Sequence, residues 1–94
     1  MANDVLIPTP LRVYADKRDV VTVEGGTVGE LLQNLTAQYS ELRNHLYSED
    51  GRLRSFVNVY LNDDDIRYLD KEATTVKDGD TLSIVPSVAG GDDE

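Results

Sequence analysis

The chain has 94 residues, 39% of them hydrophobic and 29% charged, which suits one small folded domain and is too apolar for a disordered chain. Its 18 acids outnumber its 9 Lys plus Arg, giving a net charge of −9. That balance disfavours nucleic-acid backbones and anionic lipid and favours a basic protein partner. There is no Cys and one His, His45, which excludes a disulfide scaffold, a thiolate metal site, a cysteine nucleophile and a two-His site.

Taken in order, Val5-Leu6-Ile7 reads as a short first strand. Pro8 and Pro10 restrict it, because proline cannot donate to a ladder, and the extended run resumes at Leu11-Arg12-Val13-Tyr14. Asp16-Lys17-Arg18-Asp19 is a polar turn, and Val20–Val23 a β-branched second strand paired with the first as a hairpin. Gly25-Gly26 ends it. Thr27 with Glu30 three residues on is a capping box. Val28, Leu31, Leu32, Leu35 and Tyr39 then recur on one face of a 3.6-period helix. Leu42, Leu46 and Tyr47 suggest a further short helical turn, ending near Glu49-Asp50-Gly51.

Phe56–Leu61 is the third strand, with Val57, Val59 and Leu61 on one face and Phe56, Asn58 and Tyr60 on the other. Asn62–Asp65 is a turn and Ile66–Leu69 a short extended piece. Asp78-Gly79-Asp80 is a strong turn signal before the last strand, Thr81–Val85, which Pro86 ends. The order implies an α+β fold: a mixed sheet of four to five strands, one main helix across one face, and the first and last strands as parallel central neighbours. Residues 1–86 are expected to form the domain and 87–94 a flexible tail.

Three stretches carry a family resemblance: Val57-Asn58-Val59-Tyr60-Leu61-Asn62-Asp63, Val76–Pro86 with its Asp-Gly-Asp turn, and the closing Gly90-Gly91 pair. On these the chain resembles the β-grasp, ubiquitin-like sulfur carriers of the MoaD/ThiS type, the family of the molybdopterin-synthase small subunit and the thiamine sulfur carrier. Ile7–Arg12, Phe56-Val57-Asn58 and Pro86–Gly91 are similar to the branch that serves cysteine biosynthesis. The resemblance implies that the carboxylate of Gly91 is adenylated and converted to a thiocarboxylate, with Val88, Ala89, Gly90 and Gly91 entering the partner's active site.

It also implies the partners. They are an E1-like adenylating enzyme that uses ATP, and a sulfur-accepting biosynthetic enzyme, such as a pyridoxal-phosphate-dependent synthase. Molybdopterin and thiazole precursors are the other acceptor classes. Most members end at the second glycine, whereas Asp92-Asp93-Glu94 comes after it here, so a JAMM-type zinc metalloprotease is expected to remove three residues. On this reading the protein is a carrier rather than an enzyme and binds no cofactor or metal itself. The alternatives are a ubiquitin-like interaction module with no activated end, and a protein modifier.

The residues suit that chemistry physically. With no Cys the chain cannot hold sulfur as a persulfide. Gly90 and Gly91 lack a Cβ and fit a narrow channel, and Pro86–Gly91 can extend about 20 Å to reach it. Phe56, Asn58 and Tyr60 form a candidate docking face, with Tyr14 and Tyr68 as further members of an exposed aromatic patch.

The remaining candidates read plainly. Asn62–Asp65 lacks calcium-loop spacing and is a hairpin turn. His45 has no triad spacing and reads as a surface residue near a helix end. Arg52 and Arg54 read as solvated charge that could also meet a partner's acids. No apolar run spans a bilayer, and Met1–Asp4 lacks the parts of a signal peptide, so a cytoplasmic location is expected.

Overall fold

Alternation of buried and exposed positions builds the sheet. The computed structural model of the chain describes residues 2–86. Its strands are β1 (Ala2–Leu6), β2 (Val20–Glu24), β3 (Val57–Leu61), β4 (Asp64–Asp65) and β5 (Thr81–Pro86), ordered β2-β1-β5-β3-β4. β1 pairs antiparallel with β2 and parallel with β5, and β5 pairs antiparallel with β3. The first and last strands are therefore central neighbours, as the element order predicts. Val5, Val21, Val23, Val57, Val59, Leu61, Leu82 and Ile84 all point to one face and are buried.

Helix α1 (Val28–Gln38) covers that face with Val28, Leu31, Leu32 and Leu35, none of them solvent-exposed. Burying each such side chain is worth about 1.5–3 kcal/mol. The capping box forms: the Thr27 hydroxyl accepts from the Glu30 N–H at 3.2 Å, and Glu30 Oε1 accepts from the Gly26 N–H at 2.7 Å. The reciprocal bond lands one residue before the cap. The break at Gly25 is steric, because a Cβ there would lie 2.9 Å from the Leu31 nitrogen. Segment 74–76 clips the helix start through Val28 N–H to Thr74 O and Val76 N–H to Gly26 O, both 3.0 Å. A second helix, α2 (Ser40–Leu46), buries Leu42 and Leu46 and ends before the 49–51 boundary expected for it.

Two segments differ from the extended structure their residues suggest. Thr9–Ala15 is a 3-10 helix, not a resumed strand. Proline tolerates the first helical turn, where its missing N–H has no intrahelical partner to lose, and Leu11 and Ala15, four residues apart, both reach the core. Ile66–Tyr68 is likewise a 3-10 turn, capped by Asp65, whose carboxylate accepts from the Arg67 N–H at 2.9 Å. The short strand is instead Asp64–Asp65, pairing with Leu61 and Tyr60 across a tight turn. Asn62, at φ 57°, supplies the left-handed residue of that turn. Among the described residues no helix is long and apolar enough to cross a membrane.

Candidate functional site

The predicted reacting end, Gly91, and the segment Val88-Ala89-Gly90 before it lie outside the described residues. The structure does locate the point from which they depart. β5 ends at Pro86, opposite Val57, the first residue of β3. Leu82 and Ile84 anchor this strand in the core at 0% and 2% exposure, so the departure point is rigidly held.

The far end of β5 is closed by side chains. Gly79, at φ 89°, makes the turn that launches the strand, a conformation L side chains rarely adopt. Buried Asn3 donates from Nδ2 to the carbonyls of Lys77 and Asp80 at 2.8 and 2.9 Å. Asp80 accepts from the Lys77 N–H at 2.8 Å and from Asn62 Nδ2 at 3.1 Å. These bonds, the Lys77 N–H first, favour the carboxylate and hold Asp80 below the usual range. Asn62 Oδ1 accepts from the Thr81 N–H at 3.0 Å, extending the β3–β5 ladder by one residue.

The sheet face away from the helices carries the candidate docking residues. Asn58 and Tyr60 stand there half-buried, and Phe56, just before β3, is 40% exposed. The structure adds two residues that the aromatic pattern misses. Leu6 and Ser83 are ladder partners, Ser83 faces Tyr60, and Val85 faces Asn58. Leu6 and Val85 are 40% and 45% exposed, so they join Tyr60 in an apolar patch. Strict alternation contains this signal: Val5 and Ile7 point inward, as do Leu82 and Ile84, which turns Leu6 and Val85 outward.

Two expected members of the patch are elsewhere. Tyr14 belongs to the 3-10 helix and stacks on His45 of α2, with ring centroids 4.0 Å apart. It is therefore on the helix side, and His45 is a half-buried packing residue rather than a freely solvated one. Tyr68 stands on the 3-10 turn beyond the edge strand. Of the acidic stretch read as a turn, Asn62-Asp63 form the turn, and Asp64-Asp65 pair with β3 as β4. Its Asp65 binds Arg67 at 2.7 Å, which holds the carboxyl below the usual range, the Arg67 side-chain bond contributing most.

This geometry, a five-stranded mixed sheet with helices on one face, matches known proteins. The ThiS family profile matches residues 5–91. The chain belongs to the ThiS family. It is 42% identical over 89 residues to the sulfur carrier protein CysO of Mycobacterium tuberculosis, covering 93% of this chain and 96% of that one. It is 39% identical over 89 residues to small archaeal modifier protein 3 of Haloferax volcanii, covering 86% of this chain and 96% of the relative. The structure of the Amycolatopsis orientalis BexX/CysO complex holds a chain that superposes with a TM-score of 0.84 at 40% identity, covering 94% of this chain and 98% of that one. The fold of this ThiS-family chain is thus the ubiquitin-like β-grasp, and the relatives it matches include a sulfur carrier protein and a small modifier protein.

Proposed function

We propose that this protein is a sulfur carrier whose C-terminal glycine, Gly91, is the group that carries sulfur. What supports the reading above all is where the family match stops: it runs to residue 91, the second glycine, and leaves Asp92-Asp93-Glu94 beyond it. On this reading a metalloprotease of the JAMM type cuts the bond after Gly91. An E1-like enzyme joins the freed carboxylate to the α-phosphate of ATP, releasing pyrophosphate. A sulfur nucleophile displaces AMP and leaves a thiocarboxylate. The acceptor is an enzyme of cysteine-type biosynthesis, a class consistent with the likeness to CysO.

The domain's part is presentation. The tail is ordered on entering the partner at a cost of about 1–2 kcal/mol per residue, so contacts of the globule supply affinity. Leu6, Tyr60 and Val85 with Asn58 are the surface for that contact, beside the strand from which the tail departs. The modifier protein among the relatives supports a second use of the same acyl chemistry, attachment to a protein lysine.

Intact mass spectrometry tests the carrier reading. The chain ending at Gly91, incubated with a competent activating enzyme, ATP and sulfide, gains the mass difference between sulfur and oxygen. Gly91→Trp abolishes the gain without lowering the melting temperature. A chain ending at Gly91 that stays unmodified while another carrier reacts in the same mixture overturns the reading.

A further inference from the structure

A groove of about 540 Å³ on the helix side of the β3–β4 edge is rich in cations for so acidic a chain. Its floor is apolar, made by Leu53, Val57, Val59 and Ile66. Arg52, Arg54, Arg67 and Lys71 stand around it, with Glu72 as the acid among the lining residues. Four of the nine Lys and Arg residues thus converge on one groove of a molecule whose net charge is −9.

One of these cations is closely paired and the other three are not. Arg67 is held by Asp65. Arg52 reaches Asp50 only at 4.0 Å, with the two side chains 86% and 67% exposed, a solvated pair of little strength. Arg54 donates from Nε to the carbonyl of Asn44 at 3.0 Å. Neither Arg54 nor Lys71 has a carboxylate within 4.0 Å among the described residues. The groove therefore suits a short segment with apolar residues for the floor and several carboxylates for the rim.

The chain itself contains such a segment, and it starts at the groove. Pro86 pairs with Val57, a residue of the floor. Because β5 runs antiparallel to β3, its last residues, Val85 and Pro86, run toward the end of β3 that follows Arg52, Arg54 and Ser55. The sequence after Pro86 is Ser87-Val88-Ala89-Gly90-Gly91 and then three acids, Asp92-Asp93-Glu94. The six steps from Pro86 to Asp92 allow a reach of up to about 20 Å, and tethering gives the acids a high effective concentration at the rim.

We propose that the acidic tip Asp92-Asp93-Glu94 docks in the basic groove of its own domain. Docking holds Gly91 against the domain while the tip is attached. Removing the tip removes its three side-chain carboxylates and releases the glycine. This consequence rests on the carrier reading above; the docking itself does not.

Backbone amide NMR of the full chain and of the chain ending at Gly91 tests it without any enzyme. Loss of the tip is expected to move the signals of residues 52–57 and 66–72 and to leave the turn at 77–80 in place. The difference fades as salt rises from about 0.05 M to about 0.5 M, because screening weakens exposed charge pairs. It is independent of protein concentration, as an intramolecular contact must be. The double variant R52A/K71A, both side chains exposed, loses most of the tip-dependent shift while remaining folded.

Identical groove signals with and without the tip overturn the proposal. So does a difference that grows with protein concentration, which assigns the groove to the tip of a second copy. A chain that docks its tip but is never adenylated after cutting upholds the docking and overturns the carrier reading instead.

Discussion

The two ends of β5 are built on opposite terms. At its start, Asn3 Nδ2, Asn62 and Asp80 bond to one another and to the turn carbonyls and amides, while Asn3 Oδ1 is buried without a partner among the described residues. At its finish, Pro86 pairs with Val57 of the groove, where Arg54 and Lys71 have no acid partner among the described residues. Closed hydrogen bonds fix a register, and a buried amide left unpaired costs about 1–3 kcal/mol. Open cations do nothing for the register and leave their binding capacity for something that arrives. In a carrier this separation is physically sensible: the strand is locked at one end so that whatever leaves the other end departs from a fixed place.

The contrast can be broken at high pH. Tyr47 lies beneath the tail-side end, bridged to Leu53 of the groove floor. Its hydroxyl is buried and finds no partner among the described residues. Burial, and then the charge of Glu72, push this phenol from 10.0 up to about 12. Below pH 10 the folded and unfolded chains both keep the proton, so nothing is lost. Between 10 and about 12 only the unfolded chain releases it, and stability falls by about 2–3 kcal/mol. Urea denaturation from pH 9 to 12 should show a decline in the wild type that is smaller in Tyr47→Phe by about that amount. Superimposable profiles would show that the phenol is not held neutral.

The locked end is tested by Asn3→Ala, which removes both bonds from the amide to the 77–80 turn and should cost about 1–3 kcal/mol in chemical denaturation. Lys71→Ala at the open end should stay within about 0.5 kcal/mol of wild type. Equal costs at the two positions would erase the distinction between the ends.

Acid sharpens it with a smaller effect. Asp80 sits below its ordinary value because the Lys77 N–H and then the Asn62 amide favour its carboxylate. That contribution is present above the ordinary value and is lost as pH falls through the lowered one. Asp80→Asn should therefore flatten the acid limb of the stability profile, and the protection factor of the Lys77 amide in the wild type, its exchange measured against the intrinsic rate at each pH, should fall as pH drops. Parallel acid limbs would deny the carboxylate this role.

Much of the fold was legible because strands and amphipathic helices repeat over neighbouring residues. Leu31, Leu32 and Leu35 announce one face of α1, and Val57, Val59 and Leu61 one face of β3, before any partner is known. The misread segments were those where local chemistry and tertiary packing disagree. Leu11–Tyr14 has the composition of a strand, yet the prolines before it and the core contact of Leu11 and Ala15 make a 3-10 turn. Tyr14 looks like one more exposed aromatic, yet α2 offers its His45 ring as a partner.

By itself the sequence determined the α+β class and the central pairing of first and last strands. Only tertiary structure decided which exposed groups share a surface. Leu6 meets Val85 and Tyr60 on one face because β1, β5 and β3 lie side by side in that order. Arg52 and Arg54 meet Arg67 and Lys71 because the chain returns past β3 after β4. Periodicity is a property of chain neighbours, whereas a binding surface is assembled from residues that only the strand order and its register bring together.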